Sequence, residues 1–224
     1  FDAEVWVTYG LTEAGCILTY SRLTRDDATW INTVGKPHPL VELRIVDGEG
    51  REASPGEVGE IVARGPTLMD GYWNLPERTA EAMAGGWLHS GDLGRYDDAG
   101  NVIIAGRLKD VIISGGEKIY PLEVERLLRR HPAIKDAALV GVPDPVWGQA
   151  VLAVVVPHSG ATLTAADVID YVRAHLAGYK RPRYVEFVDA LPVTTATGKV
   201  QKSVLRERYA EKSAGQLPTP PAIS

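Results

Sequence analysis

The spacing of apolar positions changes part-way along the chain. Leu40–Asp47 reads Leu-Val-Glu-Leu-Arg-Ile-Val-Asp, a rough alternation closed by the turn Gly48-Glu49-Gly50. Glu57–Arg64 is a second short strand, set off by Pro55-Gly56 and Gly65-Pro66. Val5–Thr8 reads as a buried strand running into a turn at Tyr9-Gly10. Gly94–Tyr96 and Val102–Ala105 read as a hairpin around Asp97-Asp98-Ala99-Gly100. Pro76–Met83 predicts one short helix with proline in its first turn. Short strands and frequent turns predict a small β-barrel or sandwich for this half.

After Gly106 helices join the strands. Val111–Ser114 and Lys118–Tyr120 predict a hairpin around Gly115-Gly116. Pro121 opens a helix with Val124, Leu127 and Leu128 on one face. Ile134–Gly141, Ala150–Pro157 and Tyr184–Val188 read as strands. Thr164 caps a helix carrying Val168, Ile169 and Val172, with Asp167 three residues after the cap. The second half is thus α+β. A domain boundary is expected near Lys109, giving 1–108 and 109–212. The small residues and prolines from Ser213 onward predict a disordered tail, 213–224.

Composition narrows the function classes. Hydrophobic residues make up 45% and charged residues 24% of 224, ordinary for a globular protein. A net charge of −5 offers no nucleic-acid footprint. The single cysteine, Cys16, cannot close an internal disulfide, which fits a reducing cytoplasm. The longest apolar runs, Ala137–Val142 and Ala150–Pro157, are far too short for a transmembrane helix. The chain opens on Phe1 rather than methionine and runs almost directly into a strand, which reads as part of a longer protein.

Four segments carry candidate chemistry, and each also has a plain structural reading. In Tyr9-Gly-Leu-Thr-Glu13, a hydroxyl and a carboxylate just past a tight turn can address a phosphate and its Mg²⁺, with an aromatic face beside them for a base. Taken alone, the same residues read first as a strand end with a polar loop. In Gly86-Trp-Leu-His-Ser-Gly-Asp92, a carboxylate on a Gly-Asp turn can accept both hydrogen bonds of a ribose diol, or simply form an Asx-turn. Gly106-Arg-Leu-Lys-Asp110 continues as Val-Ile-Ile-Ser-Gly-Gly-Glu-Lys-Ile-Tyr-Pro-Leu-Glu-Val-Glu125. There the planar fork of Arg107 suits ribose or phosphate oxygens, and Gly115-Gly116 permits close backbone approach by a ligand. The bland alternative is a charged turn, a hairpin and a helix. Lys199, in Leu191-Pro-Val-Thr-Thr-Ala-Thr-Gly-Lys199, is either a mobile cation for phosphate and carboxylate or a solvated surface lysine.

Together and in this order, the four segments resemble the adenylate-forming superfamily of acyl-CoA synthetases, peptide-synthetase adenylation domains and beetle luciferases. The resemblance runs from Tyr9 to Tyr209. It implies a β-barrel-like subdomain at the end of a large N-terminal domain, followed by a small mobile α+β domain. It implies an acid–CoA ligase, with a fatty acid as the default substrate, acting through ATP/AMP, Mg²⁺ and coenzyme A. By position, Tyr9 would stack on adenine, Thr12 would contact the α-phosphate and Glu13 would hold the metal. Asp92 would bind the ribose with help from Arg107, and Lys109 would be the hinge. Gly115 and Gly116 would line the pantetheine path, and Lys199 would be the adenylation lysine.

Some expectations follow from departures. The family's phosphate-binding loop, rich in Ser, Thr and Gly, would lie upstream, so this chain alone is expected to be inactive and to need the missing N-terminal portion. Ser90 replaces the threonine often found before Gly-Asp, and Lys118 stands where many members carry asparagine. Two other functions stay open: an adenylation domain loading a carrier protein, and a non-catalytic nucleotide-binding module.

Overall fold

The computed structural model describes residues 5–23 and 33–210. Two compact units divide the chain, Phe1–Lys109 and Asp110–Ser224. The tail 213–224 lies outside the described residues.

The first unit holds two open antiparallel sheets. One has the order β1 (Val5–Tyr9), β2 (Thr19–Leu23), β3 (Lys36–Pro37). The other is a meander of β4 (Glu42–Val46), β5 (Gly59–Arg64), β6 (Leu88–Tyr96) and β7 (Val102–Arg107). Of the barrel or sandwich expected here, the strands and turns are present, and among the described residues neither sheet closes on itself. Alternation explains why the meander can stay open. In β4, Leu43 and Ile45 are buried while Glu42 and Arg44 are exposed, so one face carries the core and the other meets water. Ile61, Ala63, Leu88 and Val102 complete that core with Ala14 and Leu18. The helix α1 (Pro76–Ala82) has proline in its first turn, as its sequence predicts.

In the second unit, β8 (Ile112–Ser114) and β9 (Glu117–Ile119) form a hairpin whose two turn residues, Gly115 and Gly116, have φ of 60° and 87°. Two consecutive left-handed residues make the tight turn matched to strand twist. The strands β10 (Ile134–Asp144) and β11 (Gly148–Pro157) pair antiparallel, β12 (Tyr184–Phe187) lies parallel to β11, and β8 meets the start of β11.

The near-continuous apolar runs of β10 and β11 are explained by burial on both faces. Leu139, Val151, Ala153 and Val155 pack against Val124 and Leu128 of α2 (Pro121–Leu128) and Val168 and Val172 of α3 (Ala165–His175). The intervening residues Val140, Leu152 and Val154 pack on the other face with Leu205 and Tyr209 of α4 (Lys202–Ala210). Thr164 and Asp167 form a complete capping box at the start of α3.

Candidate nucleotide site

Asp92 is placed by an irregularity in the meander. The Cα register of β5 and β6 pairs Glu60 with Leu93 and Val62 with His89, so Ser90, Gly91 and Asp92 face the single residue Ile61. This is a bulge within a strand rather than the Gly-Asp turn expected from sequence. Bulges of this kind redirect a side chain without ending the sheet. Its frame is hydrogen-bonded throughout. Ser90 Oγ donates to the Ile61 carbonyl at 2.6 Å, Asp92 N–H donates to Ser90 Oγ at 3.0 Å, and Gly91 N–H donates to Glu60 Oε1 at 3.0 Å. Gly91 sits at φ 68°, where a side chain would be strained.

The bulge turns Asp92 towards two partners. Tyr9 Oη donates to Asp92 Oδ2 at 2.9 Å, and Arg107 Nε lies 3.1 Å from Oδ1. Asp92 and Arg107 are direct cross-strand neighbours on β6 and β7, while Tyr9 ends β1, so two sheets meet at one carboxylate. The Asp92 side chain keeps 15% of its surface and Arg107 keeps 54%, an arrangement buried on one side and open on the other. Burial, and then the neighbouring Asp92 charge, hold the Tyr9 phenol well above its usual range. Tyr9 is therefore a neutral O–H donor at any physiological pH. Each oxygen of an ionised carboxylate accepts about two hydrogen bonds. Asp92 thus retains acceptor capacity for a vicinal diol after serving Tyr9 and Arg107.

Glu13 is held separately. A side chain at Gly10 would collide with the Cys16 backbone, so the turn between Tyr9 and Glu13 needs glycine. Beyond it, Thr12–Ala14 form one 3₁₀ turn with Ala14 buried, leaving Thr12 exposed at its start. The Glu13 carbonyl accepts from Met69 N–H at 2.8 Å, and Glu13 Oε1 accepts from Tyr72 Oη at 2.9 Å. Tyr72 is in turn fixed by Thr79 Oγ1, which accepts its backbone N–H at 2.9 Å. Tyr72 was not singled out from the sequence; only this tertiary contact reveals it.

Of the remaining candidates, Lys109 ends the first unit, and Gly115, Gly116 and Lys199 belong to the second. Lys109 lies in the 3₁₀ turn Leu108–Asp110, where one unit gives way to the other along the chain. At Gly115 an added Cβ would come within 2.5 Å of the Trp147 ring, so the close approach this glycine allows is to a side chain of the protein. At Gly116 an added Cβ would meet nothing within 4 Å. Lys199 is exposed on a loop closed by the Val193–Val200 bridge and by Thr194 N–H donating to the Lys199 carbonyl at 2.9 Å.

Among the described residues no group of three or more His, Cys, Asp or Glu side chains could hold a metal ion. Glu13 alone, with Oε1 on Tyr72, leaves Oε2 for a cation. That fits Mg²⁺, which takes one or two carboxylates and completes its shell with substrate phosphates and water. No helix among the described residues is long and apolar enough to cross a membrane.

Comparison with known proteins gives the family. The family model for the AMP-binding enzyme matches residues 1–73, and that for the AMP-binding enzyme C-terminal domain matches residues 123–199. A feruloyl-CoA synthase of Amycolatopsis sp is 45% identical over 202 residues, covering 90% of this chain and 40% of that protein. The fatty acid–[acyl-carrier-protein] ligase ScoC of Streptomyces coeruleorubidus is 39% identical over 220 residues, 96% of this chain and 42% of that protein. The crystal structure of ATP-bound MatB from Rhodopseudomonas palustris superposes with a TM-score of 0.84 at 39% identity, covering 92% of this chain and 41% of that one. The chain thus spans about two fifths of the length of the relatives it matches. With both family regions in order and the fold shared, the chain belongs to the adenylate-forming superfamily of AMP-binding enzymes, of which it carries a C-terminal portion.

Proposed function

We propose that the chain is part of an ATP-dependent, AMP-forming acid–CoA ligase, in which a carboxylic acid is activated as acyl-AMP and passed to the thiol of coenzyme A. The observation that carries this reading is the Tyr9–Asp92–Arg107 cluster, a half-buried carboxylate oriented by a neutral donor and a cation and open to one side. Asp92 would accept the ribose hydroxyls, Arg107 would assist, and the Tyr9 ring would face the adenine. Thr12 would contact the α-phosphate. Glu13 would hold Mg²⁺, which would supply positive charge beside the phosphates. Attack of a carboxylate on a phosphate brings two negative groups together, and Lys199 would offset that repulsion. Thioester formation needs a thiol at the same acyl carbon, so Lys199 would leave and the Gly115-Gly116 turn would enter by rotation about Lys109.

One observation favours a second acceptor. The similarity to a ligase named for an acyl-carrier protein covers nearly the whole chain, so a carrier-bound thiol is the alternative to coenzyme A. The test uses the protein with its complete N-terminal portion, ATP, Mg²⁺ and a panel of fatty, aryl and dicarboxylic acids. Acid-dependent pyrophosphate release is expected, followed by thioester on addition of coenzyme A. Release of pyrophosphate with thioester formed only on a carrier protein would select the second acceptor. No release with any acid would overturn both.

A further inference from the structure

The last helix is held by ions as well as by its apolar face. Lys202 Nζ lies 2.7 Å from Glu125 Oε1, with the two side chains only 14% and 5% exposed. The same Glu125 oxygen accepts the Leu139 N–H at 2.8 Å, so one buried carboxylate of α2 ties together β10 and α4. One helical turn further on, Arg206 Nη1 lies 2.9 Å from Asp110 Oδ1. Residues four apart share a helix face, so both cations point the same way. Leu205 and Tyr209 fill the adjacent core. With nine residues, α4 would be marginal alone and depends on these contacts for its place.

Each end of this arrangement adjoins a residue of interest. Lys199 precedes α4 by three positions, and Gln201 N–H donates to the Pro192 carbonyl at 2.8 Å, fastening the Lys199 loop to the helix start. Asp110 directly follows Lys109. We propose that Lys202 and Arg206 are positioning residues that lock α4 to Glu125 and Asp110, so that the Lys199 loop and the residue next to Lys109 move as one rigid piece. This rests on the roles given above to Lys199 and Lys109. Those roles require that a rotation beginning at Lys109 be delivered to Lys199 without slack.

The test compares Lys202→Met, Lys202→Arg, Glu125→Gln and Arg206→Met in the full-length protein. Amide hydrogen exchange is read at Thr194, Gly198 and Gln201 in the loop and at Ala153 and Val155 in the β11 core. Lys202→Met should speed loop exchange by about tenfold or more while core exchange stays as in the wild type, because only local opening becomes easier. Glu125→Gln should do the same, Arg206→Met should do so less because its pair is more exposed, and Lys202→Arg should retain protection. Acyl-AMP formation should fall with loop protection, while thioester formation from supplied acyl-AMP should persist. Unchanged loop exchange in Lys202→Met and Glu125→Gln overturns the proposal, and so does equal acceleration of loop and core in both. Lys199→Ala is run alongside. If it leaves pyrophosphate release intact, the role of Lys199 fails, and the exchange data still decide whether the ion pairs hold the loop.

Discussion

At the scale of single residues, Asp92 concentrates the consequences. It accepts from Tyr9 and pairs with Arg107, and its place depends on a bulge framed by Ser90 and Glu60. Under the proposed function, Asp92→Ala removes a charged acceptor from two ribose hydroxyls. Hydrogen bonds to charged groups contribute roughly 1.5–3 kcal/mol, so AMP and ATP affinity should fall about ten- to a hundredfold. Calorimetric titration of the full-length protein measures this. Asp92→Asn, which keeps one acceptor oxygen, should lose less, and unchanged affinity in Asp92→Ala would remove the assigned role. The candidate residues Tyr9, Glu13, Asp92 and Arg107 stand in motifs short enough to single out from the sequence. Their partners cannot be read in the same way. Tyr9 and Asp92 are 83 positions apart, as Glu13 and Tyr72 are 59 apart, and no local spacing encodes such contacts.

At the scale of elements, legibility followed burial pattern. The runs of β10 and β11 and the capped start of α3 were read correctly, because two-sided burial leaves an unbroken apolar run and a Thr-x-x-Asp cap is a local signal. From sequence β6 starts only at Gly94, because Gly91 and Asp92 break its apolar pattern, and the bulge that explains them needs the neighbouring strand. α4 was missed because seven of its nine residues stay out of the core and only Leu205 and Tyr209 are buried. The α3 cap makes a prediction at this scale. Thr164 Oγ1 donates to Asp167 Oδ2 at 2.6 Å, and this bond and the Thr164 backbone N–H hold the Asp167 carboxyl below its usual range. A depressed carboxylate stabilises the fold above its unfolded pKa of about 3.9, and the contribution is lost as pH falls through the lower folded value. Thr164→Ala should cost about 1 kcal/mol at neutral pH, read by denaturant unfolding. The difference from wild type should shrink in acid, once Asp167 is protonated in both proteins. A difference that stays constant down to strongly acidic pH would show that the carboxylate plays no part in the cap.

At the scale of the whole molecule, the two units carry different parts of the proposed chemistry. The Tyr9–Asp92–Arg107 cluster is built within Phe1–Lys109, whereas Lys199 and the Gly115-Gly116 turn belong to Asp110–Ser224. Under the proposed function the second unit presents Lys199 for adenylation and the glycine turn for thioester formation, one at a time. Substitutions in that unit should therefore separate the two half-reactions. Lys199→Ala should slow acyl-AMP formation by roughly the 10²–10³-fold seen when one charge-stabilising donor is removed from a transition state. Thioester formation from supplied acyl-AMP should be retained. Lys199→Arg should restore only part of the loss, since a planar guanidinium does not replace a compact ammonium. Gly116→Leu should do the opposite. An added Cβ there meets nothing within 4 Å, and under the proposed function the further bulk of leucine would enter the thiol path. Any L residue at φ 87° also strains the backbone, by roughly 1–2 kcal/mol, and Gly116→Ala carries that strain without the bulk. If the path is what matters, Gly116→Leu should lose thioester formation and keep pyrophosphate release, with Gly116→Ala close to wild type in both. Single-turnover assays of each half-reaction measure all four variants. Should Lys199→Ala and Gly116→Leu impair the same step, the exchange of faces about Lys109 would be wrong, whatever acid the enzyme activates.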